Sequence, residues 1–209
     1  MKNVIQFSNV EQNTDEWMEL RCGKVTASNF GIIMANEGKA FGEPAKKYAL
    51  NIALERCTGN KTNHGFSNAH TERGHEQEPL ARMLYEELTY STVTNGGFFY
   101  TDRFGDSPDG LVGDAGVIEI KSVIPSTHYE TLCRGSFDPA YKWQLIGHLY
   151  CTGRNWVDFV SYCDDFIESK KLLIYRLERN DYIGEMKRLH ERKTQFIKLI
   201  DEITLKIRD

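Results

Sequence analysis

Residues 107–121 read SPDGLVGDAGVIEIK, and this stretch determines how the rest of the chain is interpreted. Two strand-like runs flank a glycine-containing turn at 113–116, a pattern typical of a β-hairpin. Because side chains alternate along a strand, Glu119 and Lys121 share one face, whereas the isoleucines beside Glu119 point to the other. The sequence therefore predicts a hairpin with a charged site on one side and hydrophobic core on the other.

Asp109 stands just before this hairpin, ten positions ahead of Glu119. The hairpin brings the two carboxylates together, and such oxygen ligands suit a hard divalent cation. A bound cation polarises a phosphoryl oxygen and lowers the pKa of water, as phosphodiester cleavage requires, and Lys121 could stabilise the developing negative charge. Glu-x-Lys alone is common on solvated strands, but this copy lies in an aliphatic strand behind Pro-Asp-Gly, which favours a site.

Outward from the hairpin, periodicity predicts further helices and strands. Helices are expected at 15–21, from Tyr48 to Thr58, from Gly74 to Leu88, at 141–150 and beyond Tyr182, and strands at 98–100, 156–162 and 172–177. Pro79 fits best in the first turn of its helix, which puts Glu78 near the N-terminal end. The segment 60–71 is predicted to be a loop.

This order of elements predicts an α+β (mixed α/β) fold, with a central mixed β-sheet flanked by helices that carries the site. The length suits a single domain covering residues 1–209.

Ser28 is a plausible N-cap for the apolar stretch 30–34.

The composition narrows the class of protein. Hydrophobic residues make up 40% of the chain and charged residues 27%, as in ordinary globular proteins. No apolar run reaches the roughly 18 residues that cross a bilayer, and no signal peptide is recognisable, so we expect a cytoplasmic protein without a membrane partner. The five cysteines are widely spaced, which indicates neither a disulfide framework nor a thiolate zinc site.

The net charge of −4 argues against a protein that coats nucleic acid through bulk electrostatics. An enzyme acting on DNA remains compatible with this charge if its lysines and arginines are concentrated in a groove or channel.

Several separated motifs together resemble one known family. They are W-x-x-x-R-x-G-x-x-T-A-S at 17–28, G-x-x-x-E-x-x-A-R within 73–86, the S-P-D-G and E-x-K described above, and Gln144 in its helix. The chain thus resembles the PD-(D/E)xK nuclease superfamily, and within it the phage alkaline exonucleases, the family of lambda exonuclease and the YqaJ-like viral recombinases. The resemblance implies a restriction-endonuclease-like core.

The resemblance also implies a role for each matching residue. Asp109, Glu119 and the carbonyl of Ile120 would bind the first magnesium ion, with Glu78 contributing from its helix. Lys121 would act on the nucleophilic water, and Gln144 would help to place that water or the scissile phosphate. The residues implied for the pocket of the terminal 5′-phosphate are Arg21, Ser28 and Ser107, with Thr26 beside them.

Structural alternatives accompany these assignments. Glu78 could be only a favourable acid in a first helical turn. Gln144 could be an ordinary polar residue of an amphipathic helix, and Arg21 could form an ion pair with Glu19. The family's strand-separating side chain has no identifiable counterpart, and Phe66 is suggested only by its ability to stack on a base.

The function implied is a Mg²⁺-dependent exonuclease with two ions per site, Mn²⁺ being a plausible substitute. It would digest one strand of duplex DNA from the 5′ end, release mononucleotides and leave 3′ overhangs for phage recombination. The implied partners are DNA ends, a homotrimeric ring of this chain and a phage single-strand annealing protein, in a bacterial host carrying the phage or prophage. The alternatives are a related endonuclease or repair nuclease and a non-catalytic DNA-end-binding module.

Overall fold

The computed structural model describes residues 4–62 and 69–209, with the backbone alone at 69–72 and 75. The helices within this part are α1 (Asp15–Arg21), α2 (Phe30–Met34), α3 (Glu43–Thr58), α4 (Ala69–Thr89), α5 (Pro125–Arg134), α6 (Lys142–Thr152) and α7 (Ile183–Arg208). The strands are β1 (Gln6–Ser8), β2 (Val25–Thr26), β3 (Val93–Thr94), β4 (Phe98–Tyr100), β5 (Phe104–Asp106), β6 (Gly110–Val112), β7 (Gly116–Ser122), β8 (Trp156–Tyr162) and β9 (Leu172–Glu178).

The strands form two mixed sheets. One has the order β1-β4-β5-β2 and the other β3-β6-β7-β8-β9. In the second sheet β6 and β7 form the predicted antiparallel hairpin, with Gly110 opposite Ile118, and β7 runs parallel to β8. The α+β class is confirmed, with two sheets in place of one central sheet, and residues 107–109 form the short link between them.

Hydrophobic clusters lie on both faces of β7. Ile118 and Ile120 pack with Ala81 and Tyr85 of α4, whereas Val117 belongs to the larger cluster that includes α6 and α7. Burial on both faces explains why this strand is mostly aliphatic. Glu119 is 1% exposed, so the predicted alternation places it inside the molecule.

Two local predictions about helix starts are wrong. Ser28 lies inside a short 3-10 helix, Ala27–Asn29, and the N-cap of α2 is Asn29. The Ser28 hydroxyl oxygen lies 3.2 Å from that of Thr26 instead. Pro79 is in the interior of α4, not in its first turn, so Glu78 is not near the N-terminal end of the helix and gains nothing from the helix dipole there.

The loop prediction for 60–71 is only partly testable. Helix α4 already begins at Ala69, so the prediction is wrong for residues 69–71. Phe66 lies outside the described residues. Within the described part of the chain, no helix is both long and apolar enough to cross a membrane.

Candidate active site

Asp109 lies in the link between the two sheets, beside the middle of β7. Its Oδ2 accepts a hydrogen bond from the backbone nitrogen of Ile120 at 2.7 Å. The side-chain amide of Gln12 donates to the carbonyl of Pro108 at 2.9 Å, and Arg82 of α4 donates to the carbonyl of Asp109 at 2.5 Å. These contacts fix the link so that the carboxylate of Asp109 faces the strand that carries Glu119.

Glu119 is held at both carboxylate oxygens. Its Oε1 lies 2.5 Å from Lys121 Nζ and accepts a hydrogen bond from Gln144 Nε2, also at 2.5 Å. Its Oε2 lies 2.8 Å from His148 Nε2. The structure therefore brings Asp109, Glu119, Lys121 and Gln144 together, as the sequence motifs suggest.

The charges in this cluster perturb one another. Burial raises the pKa of Asp109 well above its usual range, and the charge of Glu119 raises it further. Burial also raises the pKa of Glu119, but Lys121 and His148 outweigh burial and lower it to about 2. Burial lowers the pKa of Lys121, yet Glu119 and Asp109 more than reverse this, so its pKa lies above its ordinary value. Glu119 is thus ionised and Lys121 protonated.

Two residues of the cluster, Asp106 and His148, were missed by sequence reasoning. His148 Nδ1 lies 2.9 Å from Asp106 Oδ2, and both side chains are almost completely buried. Burial lowers the pKa of His148, but Asp106 and Glu119 outweigh it and raise that pKa to about 10. One signal was available: His148 is four residues after Gln144, on the same face of a helix.

An open cleft of about 930 Å³ leads to Asp109. Glu78 and Arg82 of α4 line it and form an ion pair at 3.4 Å. The other lining residues are Glu11, Gln12, Asn13, Pro79, Met83, Glu86 and Asn95. Glu78 therefore faces the same cleft as Asp109, while its described ionic partner is Arg82.

The carboxylates of Asp109, which lines the cleft, and of Glu119, which is buried, form a donor set that suits a hard divalent cation. Asp109 and Glu119 supply carboxylate oxygens, which Mg²⁺ and Mn²⁺ prefer, and a cation would offset both the burial and the repulsion from Glu119 that raise the pKa of Asp109. Within the described residues, no group of three or more His, Cys, Asp or Glu side chains is arranged to hold a metal ion. The carbonyl of Ile120 or water oxygens would have to complete the set.

The residues suggested for the 5′-phosphate pocket contact one another in two groups, one around Ser107 and one formed by Thr26 and Ser28. Ser107 Oγ accepts hydrogen bonds from Trp17 Nε1 at 2.7 Å and from Arg21 Nη1 at 3.4 Å, and the Arg21 guanidinium lies 3.9 Å from the centre of the Trp17 ring. Thr26 contacts Ser28, and both Arg21 and Thr26 line a hollow of about 410 Å³. Burial lowers the pKa of Arg21, so an anion here would stabilise its charged form.

The family of the chain is shown by its sequence. Residues 16–155 match the YqaJ-like viral recombinase domain, and the chain belongs to that family. The fold is similar to that of an alkaline exonuclease, LHK-Exo, from Laribacter hongkongensis, with 36% identity, a TM-score of 0.82, and coverage of 93% of this chain and 97% of that one.

Further comparisons agree with this assignment. The structure of LHK-Exo in complex with dAMP matches at a TM-score of 0.79, with 36% identity and coverage of 93% and 98% of the two chains. A phage-related exonuclease from Haemophilus somnus 129PT, 16% identical over 86% of this chain and 96% of its own, has a TM-score of 0.60 and shows a shared fold alone. No curated protein matches the chain.

Proposed function

We propose that this chain is a Mg²⁺-dependent exonuclease that digests one strand of duplex DNA from a 5′-phosphorylated end, releases mononucleotides and leaves a 3′ overhang. One observation carries the proposal: Asp109, which lines an open cleft, lies against the strand on which Lys121 contacts the buried carboxylate of Glu119. Membership of the recombinase family and 36% identity to an alkaline exonuclease over 93% of the chain support it.

The residues present have complementary roles in such a reaction. A bound divalent cation would polarise the phosphoryl oxygen and make water more acidic, and Asp109, Glu119 and the Ile120 carbonyl would hold it. Lys121 lies 2.5 Å from Glu119 Oε1, so its amino group can orient water and stabilise developing negative charge. Gln144, already bonded to Glu119, can present its amide to the same water or to the phosphate.

The 5′ end would be recognised next to this centre. Arg21 offers a planar guanidinium, which binds phosphate through paired hydrogen bonds, and Ser107 and Thr26 add hydroxyl groups. Ser107 stands two residues before Asp109, so a phosphate bound by Ser107 lies close to the proposed metal. This proximity would allow the terminal nucleotide to be selected for removal.

The proposal extends to partners. The family resemblance supports a homotrimeric ring that encloses DNA, and a phage single-strand annealing protein that takes up the exposed strand. We place this activity in the cytoplasm of a bacterial host that carries the phage or prophage.

The test uses linear duplexes labelled at the 5′-phosphate of either strand, incubated with Mg²⁺ and separately with EDTA. Labelled mononucleotide should appear only with Mg²⁺, and a covalently closed plasmid should stay intact under the same conditions. Internal cuts would instead favour an endonuclease of the same superfamily. Absence of cleavage with both Mg²⁺ and Mn²⁺ would favour a non-catalytic DNA-end-binding module.

A further inference from the structure

Two buried side chains outside the sequence motifs support Glu119 from within the fold. Asp106 ends β5 of the first sheet, and His148 lies on α6. They are 2% and 0% exposed. Neither lines the cleft, and Asp106 contacts His148, which contacts Glu119, so this chain of contacts needs an explanation other than direct contact with DNA.

The geometry fixes the imidazole at both ends. Nδ1 of His148 lies 3.0 and 2.9 Å from the two carboxylate oxygens of Asp106, and Nε2 lies 2.8 Å from Glu119 Oε2. Ionised carboxylates only accept hydrogen bonds, so each ring nitrogen has a defined acceptor. The ring orientation, and with it the position of Oε2, is therefore set by two separate elements.

The other oxygen of Glu119 has different surroundings. Its Oε1 is contacted by Lys121 and Gln144. The Lys121 side chain is 26% exposed and can move towards solvent, whereas His148 is fully enclosed. Oε1, whose partner Lys121 is partly exposed, is therefore the oxygen of Glu119 that can exchange a present partner for a ligand.

We infer that Asp106 and His148 are positioning residues that fix Oε2 of Glu119, so that Glu119 offers a divalent cation the single oxygen Oε1. The inference rests on the proposed function, because it concerns the metal that cleavage would require. Outer contacts of this kind orient metal ligands, and their loss typically lowers metal affinity or activity about 10- to 100-fold. Without His148, Oε2 of Glu119 would lose its partner, and the orientation of the carboxylate would have to be fixed when the cation binds.

The test compares His148→Gln with a matched control, His128→Gln. His128 is equally buried, and its ring nitrogens lie 2.8 Å from the Ser161 hydroxyl and 2.8 Å from the Lys170 carbonyl. Binding of Mg²⁺ and Mn²⁺ to the DNA-free protein is measured by calorimetry, and thermal melting checks that each variant is folded. We expect affinity to fall about tenfold or more in His148→Gln and to stay unchanged in the control.

Cleavage provides a second readout. Excess Mn²⁺ should restore more of the activity of His148→Gln than limiting Mg²⁺ does, because the defect lies in metal binding. Unchanged metal affinity in a folded His148→Gln variant would overturn the inference. If His148→Gln does not fold, Asp106→Asn is tested in its place, because it removes one charge but keeps an accepting oxygen. Asp106→Asn should also bind the metal more weakly. An unchanged metal affinity of Asp106→Asn would overturn the inference.

The two proposals fail in different ways. If the unmodified chain binds the metal but does not cleave DNA, the proposed function fails while the affinities of the variants still decide the role of His148. If the unmodified chain binds neither Mg²⁺ nor Mn²⁺, the inference itself is overturned.

Discussion

At the scale of single residues, the site depends on keeping a buried carboxylate ionised. Burial alone would favour the neutral form of Glu119, and Lys121 and His148 reverse that preference and bring its pKa to about 2. Removing one partner of a fully buried ion pair lowers the free energy of unfolding by about 3–5 kcal/mol. The cost at Lys121 should be smaller, because its side chain is partly exposed and water can replace it.

Lys121→Ala should abolish most cleavage while DNA binding survives, since Lys121 acts on the reacting groups and not on docking. Loss of one preorganised donor to a transition state typically costs about 10²–10³-fold in rate. Single-turnover cleavage and DNA binding in EDTA are the two measurements. Lys171→Ala is a suitable control, because Lys171 is similarly exposed at 22% and paired with Asp164. Near-normal turnover of Lys121→Ala would disprove the role of the lysine.

Arg21→Ala should reduce the preference for 5′-phosphate over 5′-hydroxyl ends. The guanidinium of Arg21 is held by Ser107 and the Trp17 ring, so it is preorganised for a phosphate. The ratio of digestion rates on the two kinds of end is the measurement, and each variant serves as its own control. An equal loss on both substrates would show that Arg21 stabilises the fold or binds DNA generally.

At the scale of elements, prediction succeeded where apolar spacing reflects burial. The hairpin β6–β7 and strand β8 are found as predicted. Helix α5 was missed because its buried positions are His128 and Thr131, which give no apolar period. In α4 the spacing of Leu80, Met83, Leu84 and Leu88 indicated a helix, and the structure has one, although its buried residues include Ala81 and Tyr85, while Leu80, Met83 and Leu88 are exposed.

Gly96→Ala should destabilise the link that carries Asp109. A Cβ at Gly96 would lie 1.7 Å from the carbonyl oxygen of Pro108, so the backbone of one segment would have to move. Overpacking of this kind typically costs about 1–3 kcal/mol. Urea denaturation should show that loss for Gly96→Ala, and calorimetry should show weaker Mg²⁺ binding because Asp109 is displaced.

Gly31→Ala is the matched control for this change. Gly31 lies in α2, and an added Cβ would meet nothing within 4 Å. Alanine is favoured over glycine in a helix by about 1 kcal/mol, so this variant should be as stable as the original or more stable. A Gly96→Ala variant that is equally stable would contradict the close approach of the two segments.

At the scale of the whole molecule, the site is assembled from distant parts of the chain. The contacts Trp17 to Ser107 and Asp106 to His148 span 90 and 42 positions. The motifs identified Asp109, Glu119 and Lys121 because their spacing is local. Asp106 could not be found in this way, and the local signal for His148 was only its spacing of four residues from Gln144, because the packing of α6 against the two sheets brings Asp106 and His148 together.

At this scale the net charge of the chain is linked to its assembly into a ring. A chain with a net charge of −4 gains little from bulk attraction to DNA, so enclosure would explain how it is retained on DNA. A ring would provide that enclosure, and light scattering should give three times the chain mass of 24.1 kDa. Because a closed ring loads only at a free end, a linear duplex in EDTA should be bound and a covalently closed circle should not. A monomer that binds both forms equally would refute enclosure and leave a groove of concentrated lysine and arginine as the means of holding DNA.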